Sequence, residues 1–226
     1  EVCLADGDGL RVDLHRAVLP RFFPAKLTFD DLWERRTTVD PGNDGVPALD
    51  PADRLVVLAV HGTKHCWYRL AWVRDVATLV ADDHADPARL EARARDCHCL
   101  RHVLVALWLA DRVYGVAPPR RFRERVAEDP AVEKLGRRLL DRVRERDGDA
   151  TPPTDAEQFR VQWLALSRRR DRLLYATRLA TLPSEADVRR VALPPPFRPL
   201  YRVVRPARLV SRAGRAGCRR LVAVVS

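Results

Sequence analysis

The sequence LRVDLH at positions 10–15 alternates hydrophobic and polar residues, which is typical of a β-strand with one buried face. The short apolar run VCLA precedes it, and a Gly-containing turn lies between the two. We therefore expect a β-hairpin over residues 2–16, with the side chains of Leu10, Val12 and Leu14 turned inward. Asp13 and His15 then lie on the polar face, where they contact either solvent or a ligand.

From residue 50 onward the hydrophobic period lengthens to about 3.6 residues, which is typical of helices. Asp50 is a suitable N-cap, Pro51 takes the first helical position, and Asp53 takes the position of a capping-box acid. The pattern and its Pro and Gly breaks predict helices over residues 50–66, 68–81, 87–101, 103–114, 119–128, 131–146 and 156–181.

Residues 21–50 carry several Pro and Gly, so we expect irregular chain there with one helical turn at Asp30–Arg35. The predicted fold class is therefore α+β, a small N-terminal β-hairpin followed by a predominantly helical domain. The expected domain boundaries place the β-containing part at residues 1–48, the helical domain at residues 49–182 and a C-terminal segment at residues 183–226.

The C-terminal segment is basic and punctuated by Pro, as in LPPPFRPLYRVVRPARLV. Its amphipathic pattern is compatible with contact to a membrane surface. We expect instead that its apolar residues pack on the protein body; these are Phe197, Leu200, Tyr201 and Val204.

The net charge of the chain is weaker evidence for nucleic-acid binding than its magnitude suggests. The 226-residue chain has a formal net charge of +10, which is compatible with nucleic-acid binding. However, 38 of the 41 basic residues are arginines, and few aromatic residues are interleaved with them. Codon bias toward G and C therefore explains much of the charge, and we expect nucleic acid not to be the main partner.

Cysteine usage and hydropathy bear on the compartment. The five cysteines are odd in number and scattered, which favours a reducing environment. No apolar run approaches the roughly 20 residues of a transmembrane segment, and the sequence shows no signal peptide. These features predict a cytoplasmic protein.

The segment HGTKHCWYRLAWVRDVATL, from residue 61, contains the main candidate chemistry. His61, Lys64 and His65 are spaced i, i+3 and i+4, so they share one helix face. A zinc-peptidase helix needs Glu directly after its first His, and Gly62 takes that position here. Two imidazoles and an ammonium group can bind an anion such as a triphosphate, although a solvated helix face would show the same pattern.

The next predicted helix places an acid near this cationic face. Asp75 can orient His65 or Lys64 through a charge-assisted hydrogen bond, or it can form an ordinary salt bridge between helices. Trp67 and Trp72 are expected in the core, because Trp at helical spacing is usually buried.

Three motifs follow one another along the chain: VDLHR, an Asp-Pro-x-Asp helix start and HGTKHCWYRLAWVRDVATL. Together they resemble the uncharacterised nucleotidyltransferase-like family of bacteria, whose members carry a strand similar to Val-Asp-Leu-His-Trp and a helix similar to His-x-x-x-His-x-Trp-x-x-Leu-x-Trp-x-x-Asp. The resemblance covers most of residues 10–115, and LPPPFRPLYRVVRPARL is similar to the family's C-terminal segment. Arg16 departs from the family pattern, which has Trp there.

The resemblance implies membership of the polymerase-β-like nucleotidyltransferase superfamily. Its members hold two Mg²⁺ ions with a pair of carboxylates after a Gly-Ser turn and a third carboxylate on a later strand. Asp13 matches the third carboxylate, so the resemblance makes it a metal ligand and, with His15, a catalytic residue. Residues 1–48 are then the C-terminal part of the transferase β core.

The Gly-Ser turn and the paired carboxylates of that pattern are not found upstream of Asp13. The sequence Asp6-Gly-Asp8 is similar to the paired acids, but it lies in the hairpin turn, where Asp and Gly are common for conformational reasons. We therefore expect the chain to be N-terminally truncated and inactive by itself.

Three functions are compatible with these features. The first is the C-terminal portion of a transferase that moves NMP from NTP to an acceptor hydroxyl, with His61, Lys64, His65 and Asp75 binding the nucleotide. The second is a non-catalytic helical module that binds a nucleotide or a partner. The third is a basic nucleic-acid binder, whose binding would depend strongly on salt.

Overall fold

The structure is a computed structural model. It describes residues 2–5, 11–14, 17–40, 42, 45–82, 85–145, 152–183, 187–188 and 191–208. The chain divides into two compact units, which are Glu1–Leu19 with Ala25–Arg169, and Pro20–Pro24 with Arg170–Ser226. The domain boundaries expected from the sequence remain predictions.

The N-terminal hairpin is confirmed over its described residues. Strand β1 (Val2–Ala5) pairs antiparallel with strand β2 (Arg11–Leu14), with Val2 opposite Leu14. Residues 6–10 and 15–16 lie outside the described part of the chain, as do the side chains of 11–14. The direction in which the hairpin side chains point therefore stays a prediction.

The following segment contains more regular structure than its sequence indicates. Helix α1 (Phe29–Glu34) is capped by Thr28 and agrees with the predicted helical turn. Strands β3 (Thr37–Val39) and β4 (Val46–Ala48) form a second antiparallel hairpin, so the prediction of irregular chain was wrong there. Both strands are short and none of their side chains is buried, which explains why they carry no clear hydrophobic alternation.

Most of the remaining helices of the first unit begin and end close to the predicted positions. Asp50 caps α2 by accepting a hydrogen bond from the Ala52 amide at 3.0 Å, and Gly115 ends α5 in the left-handed conformation. The helices are α2 (Pro51–Lys64), α3 (Leu70–Ala81), α4 (Pro87–Asp96), α5 (Leu100–Tyr114), α6 (Arg120–Glu128), α7 (Pro130–Glu145) and α8 (Asp155–Ala165). The described residues are thus mostly helical with small antiparallel sheets, and the α+β fold class is confirmed.

Helix α5 is the centre of the first unit. It packs against α2, α3, α4, α6 and α7, and all of residues 102–110 are buried. The sequence HVLVALWLA is apolar on every side, as expected for a helix enclosed by other helices.

Two predicted helices end earlier than the hydrophobic pattern indicates. Residues 97–99 form a turn between α4 and α5, with His98 at φ +60°, rather than continuing the helix to residue 101. The predicted helix at 156–181 is two helices, α8 and α9 (Arg169–Thr181). Arg101 donates hydrogen bonds to the carbonyls of Leu164 and Leu166, at 2.9 and 3.4 Å, which satisfies backbone groups near the end of α8.

The second unit contains most of α9, a 3₁₀ helix (Pro195–Leu200) and a helical stretch at 201–208. The rings of Phe22 and Phe23 pack against buried Tyr175, at centroid distances of 6.0 and 6.1 Å. Tyr201 is buried as expected, whereas Phe197 and Leu200 are exposed, so their predicted packing on the body was wrong. Within the described residues, no helix is long and apolar enough to cross a lipid bilayer.

Candidate functional site

The candidate site is the turn between α2 and α3, where the chain reverses in an unusual conformation. Helix α2 ends with the His65 amide bonded to the His61 carbonyl at 3.1 Å. Cys66 and Trp67 then adopt positive φ angles of 53° and 51°, which are uncommon for residues with side chains. Two consecutive left-handed residues reverse the chain sharply, and this brings residues 68–72 back beside the end of α2.

Burial of Trp67 accounts for this strained turn. The Trp67 side chain is fully buried, as predicted, and its indole N–H donates to Thr63 Oγ1 at 3.3 Å. The ring lies directly against Gly62, where a Cβ atom would approach three ring atoms to 2.6 Å. A zinc-peptidase helix has Glu at the position of Gly62. Here the position is Gly because a larger residue would leave no room for the Trp67 indole.

Four aromatic rings gather on the outer side of the turn. His61 and His65 have centroids 4.7 Å apart, and Trp72 lies 5.0 Å from His61 and 5.5 Å from His65. Tyr68 stands edge-on to Trp72 at 5.0 Å. All four rings are half-buried, so the expectation that Trp72 belongs to the core was wrong. We call these four residues the ring cluster.

Cationic groups border the ring cluster. Lys64 is the last residue of α2, and the exposed Arg69 guanidinium lies over the rings of Tyr68 and Trp72, at 5.4 and 5.9 Å from their centroids. Burial, together with the charges of Lys64, His61 and Arg69, lowers the pKa of His65 from 6.5 to about 4. His65 is consequently neutral at pH 7 and can donate or accept a hydrogen bond.

The start of α3 adds hydrogen-bond donors to the same place. Among the described residues, no side chain caps α3 at its N-cap residue, Arg69. The first backbone N–H groups of a helix point outward along its axis, and the helix dipole favours negative charge beside them. This helix start lies within the same turn as His65 and Tyr68, so cationic, imidazole and amide donors occur together.

Asp75 was predicted to lie beside this cationic face. It is on α3, one turn after Trp72, and its carboxylate lies 3.6 Å from the Arg74 guanidinium. Both side chains are largely exposed, so this contact contributes little to stability. A role for Asp75 in orienting His65 or Lys64 stays a prediction.

The predicted metal-binding part of the site cannot be described in the same detail. Asp13 lies in β2, but its side chain is outside the described residues, and His15 is outside them entirely. Elsewhere in the described chain, no three His, Cys, Asp or Glu side chains are grouped so as to hold a metal ion. The roles of Asp13 and His15 therefore stay predictions.

A buried ionic network supports the other end of α2. Asp53, proposed from sequence as a capping-box acid, is fully buried and accepts hydrogen bonds from Arg35 Nε at 2.9 Å and from Arg93 Nε. Arg93 also binds Asp31. Burial opposes the Arg93 charge, but the hydrogen bonds to Asp31 and Asp53 outweigh it and raise the pKa of Arg93. The network joins α1, α2 and α4 and fixes the position of α2.

Sequence reasoning identified the helical residues of the site but missed Tyr68 and Arg69. Both follow the end of α2, and their proximity to His65 depends on the reversed turn at Cys66 and Trp67. Gly62 is the residue in the sequence that could have indicated this turn. A Gly in a helical pattern, five residues before a Trp, leaves room for the Trp ring to fold back against the helix.

Comparison with known proteins gives one match. The model of a family described as uncharacterised nucleotidyltransferase matches residues 3–115, which include β2 and the whole α2–α3 turn. No curated protein matches the chain, and no solved structure does. Since the match covers half of the 226 residues, the chain belongs to the uncharacterised nucleotidyltransferase family.

Proposed function

We propose that the α2–α3 turn binds the phosphates of a nucleoside triphosphate, and that the protein takes part in transfer of NMP to an acceptor hydroxyl. The observation that carries this proposal is the family match, whose span contains both the Asp13 strand and the ring cluster. The donor groups at the turn supply the chemistry that a triphosphate requires.

Each group at the turn has a distinct part in this proposal. The triphosphate carries several negative charges, which Lys64 and Arg69 offset directly. His65 is neutral at pH 7 because its pKa is about 4, so it serves as a hydrogen-bond donor rather than as a charge. The uncapped start of α3 offers backbone N–H groups to a phosphate oxygen.

The base of the nucleotide can contact the ring cluster. Tyr68 and Trp72 are half-buried, and each retains some exposed surface. Stacking between a base and an aromatic side chain stabilises complexes by about 1–3 kcal/mol per base and tolerates every base. We therefore expect the turn to bind ATP, GTP, CTP and UTP with similar affinity.

Asp13 is proposed as a Mg²⁺ ligand and, with His15, as a catalytic residue, as the resemblance to the family implies. A bound Mg²⁺ ion would neutralise phosphate charge and activate the attacking hydroxyl. Phosphate binding at the α2–α3 turn uses Lys64, Arg69 and His65 and does not require this ion.

The test is NTP affinity of the 226-residue chain, measured by isothermal titration calorimetry without Mg²⁺. Lys64→Ala and Arg69→Ala should each weaken binding about tenfold or more, since a hydrogen bond to a charged group contributes about 1.5–3 kcal/mol. Lys134→Ala is the matched control, because Lys134 is an exposed lysine on α7, and it should leave affinity unchanged.

Two results would contradict the proposal. One is the absence of measurable NTP binding by the folded chain. The other is equal loss of affinity in Lys64→Ala and Lys134→Ala, which would mean that net charge, rather than the α2–α3 turn, attracts the nucleotide.

A further inference from the structure

The net positive charge of the chain lies entirely in its second unit. In the sequence this unit contains 14 arginines and three acidic residues, for a net charge of +11. The first unit contains 27 basic and 28 acidic residues, for a net charge of −1. The overall basicity is therefore a property of one compact unit rather than of the whole chain, and codon bias alone does not account for such a division.

The two acidic residues of the second unit that the structure describes do not expose their charges. Asp187 is fully buried between Arg205 and Arg208, whose guanidinium nitrogens lie 2.7 and 2.6 Å from its carboxylate oxygens. Asp171 is also buried. Among the described residues of this unit, the exposed charges are those of arginines, which include Arg170 and Arg202.

Large apolar side chains are exposed in the same stretch of chain as Arg202. Phe197 is 54% exposed, Leu200 is 49% exposed and Val203 is 68% exposed. Their spacing of three residues aligns Phe197 with Leu200 on one side of the 3₁₀ helix, and Val203 continues this side into residues 201–208. We call these three residues the C-terminal apolar face.

Buried contacts fix the direction in which this face points. The Tyr201 hydroxyl donates to the Val191 carbonyl at 2.6 Å, and Arg205 Nε donates to the Leu179 carbonyl at 2.6 Å. Tyr201 and Arg205 are one turn apart and are both buried. Since they occupy the inner side of the helical stretch, rotation of Leu200 and Val203 into the interior of the unit would break both contacts.

We propose that the C-terminal apolar face binds the surface of a bilayer containing anionic phospholipids. Apolar side chains flanked by arginines are the combination that interfacial helices present to lipid, where the side chains enter the headgroup region and the cations bind the phosphates. Only one residue of the face is aromatic, so it lacks the series of rings on which single-stranded nucleic acid stacks.

The test is co-sedimentation of the 226-residue chain with vesicles of phosphatidylcholine, either pure or containing about one third phosphatidylserine. The chain should bind the phosphatidylserine vesicles and largely dissociate when salt rises from about 0.1 M to about 1 M. Binding to pure phosphatidylcholine should be at least tenfold weaker.

Variants of the exposed side chains locate the contact. The combined change Phe197→Ser, Leu200→Ser and Val203→Ser should weaken vesicle binding at least tenfold, and Arg202→Ala should weaken it about fivefold. Val46→Ser is the matched control, because Val46 is an exposed apolar residue of the first unit, and it should have no effect. Circular dichroism checks that each variant is folded. If the triple variant does not fold, Arg202→Ala alone tests the proposal.

Three results would overturn the proposal. They are the absence of binding to phosphatidylserine vesicles, unchanged binding in both Arg202→Ala and a folded triple variant, and tighter binding to single-stranded RNA or duplex DNA that the triple variant retains. The last result would assign the basic unit to nucleic acid. NTP affinity is a separate measurement on residues of the first unit, so none of these results depends on the proposed function.

Discussion

Substitution of Gly62 by Ala tests the packing that creates the α2–α3 turn. A Cβ atom at this position would lie 2.6 Å from three atoms of the Trp67 ring, which is fully buried. Helix propensity alone favours Ala over Gly by about 0.8–1.0 kcal/mol. Propensity and packing therefore predict opposite signs for the change in the free energy of unfolding.

The magnitude of the change in the free energy of unfolding follows from the contact between the new Cβ atom and the Trp67 ring. Overpacking of a well-packed interior typically costs about 1–3 kcal/mol, and a clash with three atoms of a rigid ring belongs at the upper end of that range. After the gain in helix propensity is subtracted, we expect Gly62→Ala to destabilise the protein by about 2 kcal/mol. For a chain of this size this loss corresponds to a decrease in Tm of about 4–8 °C.

The assay is thermal unfolding followed by circular dichroism, applied to a double-mutant cycle. Trp67→Phe removes part of the ring that Gly62 contacts, so the clash in Gly62→Ala should be partly relieved in the double variant, with a coupling of about 1–2 kcal/mol. Gly115→Ala is the control. It has a φ of +69° and open space around its Cβ position, so its loss of about 1–2 kcal/mol should not depend on Trp67.

A rise in Tm for Gly62→Ala would refute this reasoning. It would mean that helix propensity dominates and that the Trp67 ring does not lie against α2. Packing of the Trp67 ring against α2 would then no longer explain the reversed turn. The proximity of Tyr68 and Arg69 to His65, which depends on that turn, would also be unexplained.

Three further predictions concern the rest of the first unit. Asp53→Ala should destabilise the protein by about 1.5–3 kcal/mol in urea unfolding, because it removes one carboxylate that binds the buried Arg93 guanidinium while Asp31 remains bound to it. Burial lowers the pKa of His102 from 6.5 to about 4, so the unfolded chain binds more protons between these values. The contribution of His102 to stability should be full above about pH 6.5 and fall by about 2 kcal/mol from pH 7 to pH 5, and His102→Gln should reduce the dependence of the free energy of unfolding on pH by about that amount. Asp13→Asn should remove any gain in NTP affinity that Mg²⁺ provides, as measured by calorimetry, and should leave Tm unchanged.

The sequence predicted the helices well where local signals determine their ends. Asp50 and Gly115 mark helix ends through their own backbone or side-chain chemistry, and both are found in these roles. The break after α8 was missed because Arg101, 63 residues from Leu164, binds the carbonyls near that end. A contact between residues so distant leaves no trace in local hydrophobic periodicity.

The candidate site was predictable only in part for the same reason. Helical spacing was sufficient to place His61 and Lys64 on α2 and His65 at its C-cap. The position of Arg69 depends on the turn beyond the helix, and the pairing of Asp53 with Arg93 joins residues 40 apart in the chain. Periodicity specifies which residues share a helix face, but it does not specify which face another segment will contact.

A triphosphate bound beside His65 should change the pKa of the His65 imidazole. The measurement is an NMR pH titration of the His65 imidazole, assigned with the His65→Gln variant, in the absence and presence of saturating ATP without Mg²⁺. Burial and the nearby Lys64, His61 and Arg69 lower this pKa to about 4 in the free protein. Bound phosphate charges should raise the pKa by about one unit or more, because an adjacent anion stabilises the imidazolium form. An identical His65 titration with and without saturating ATP would contradict the account.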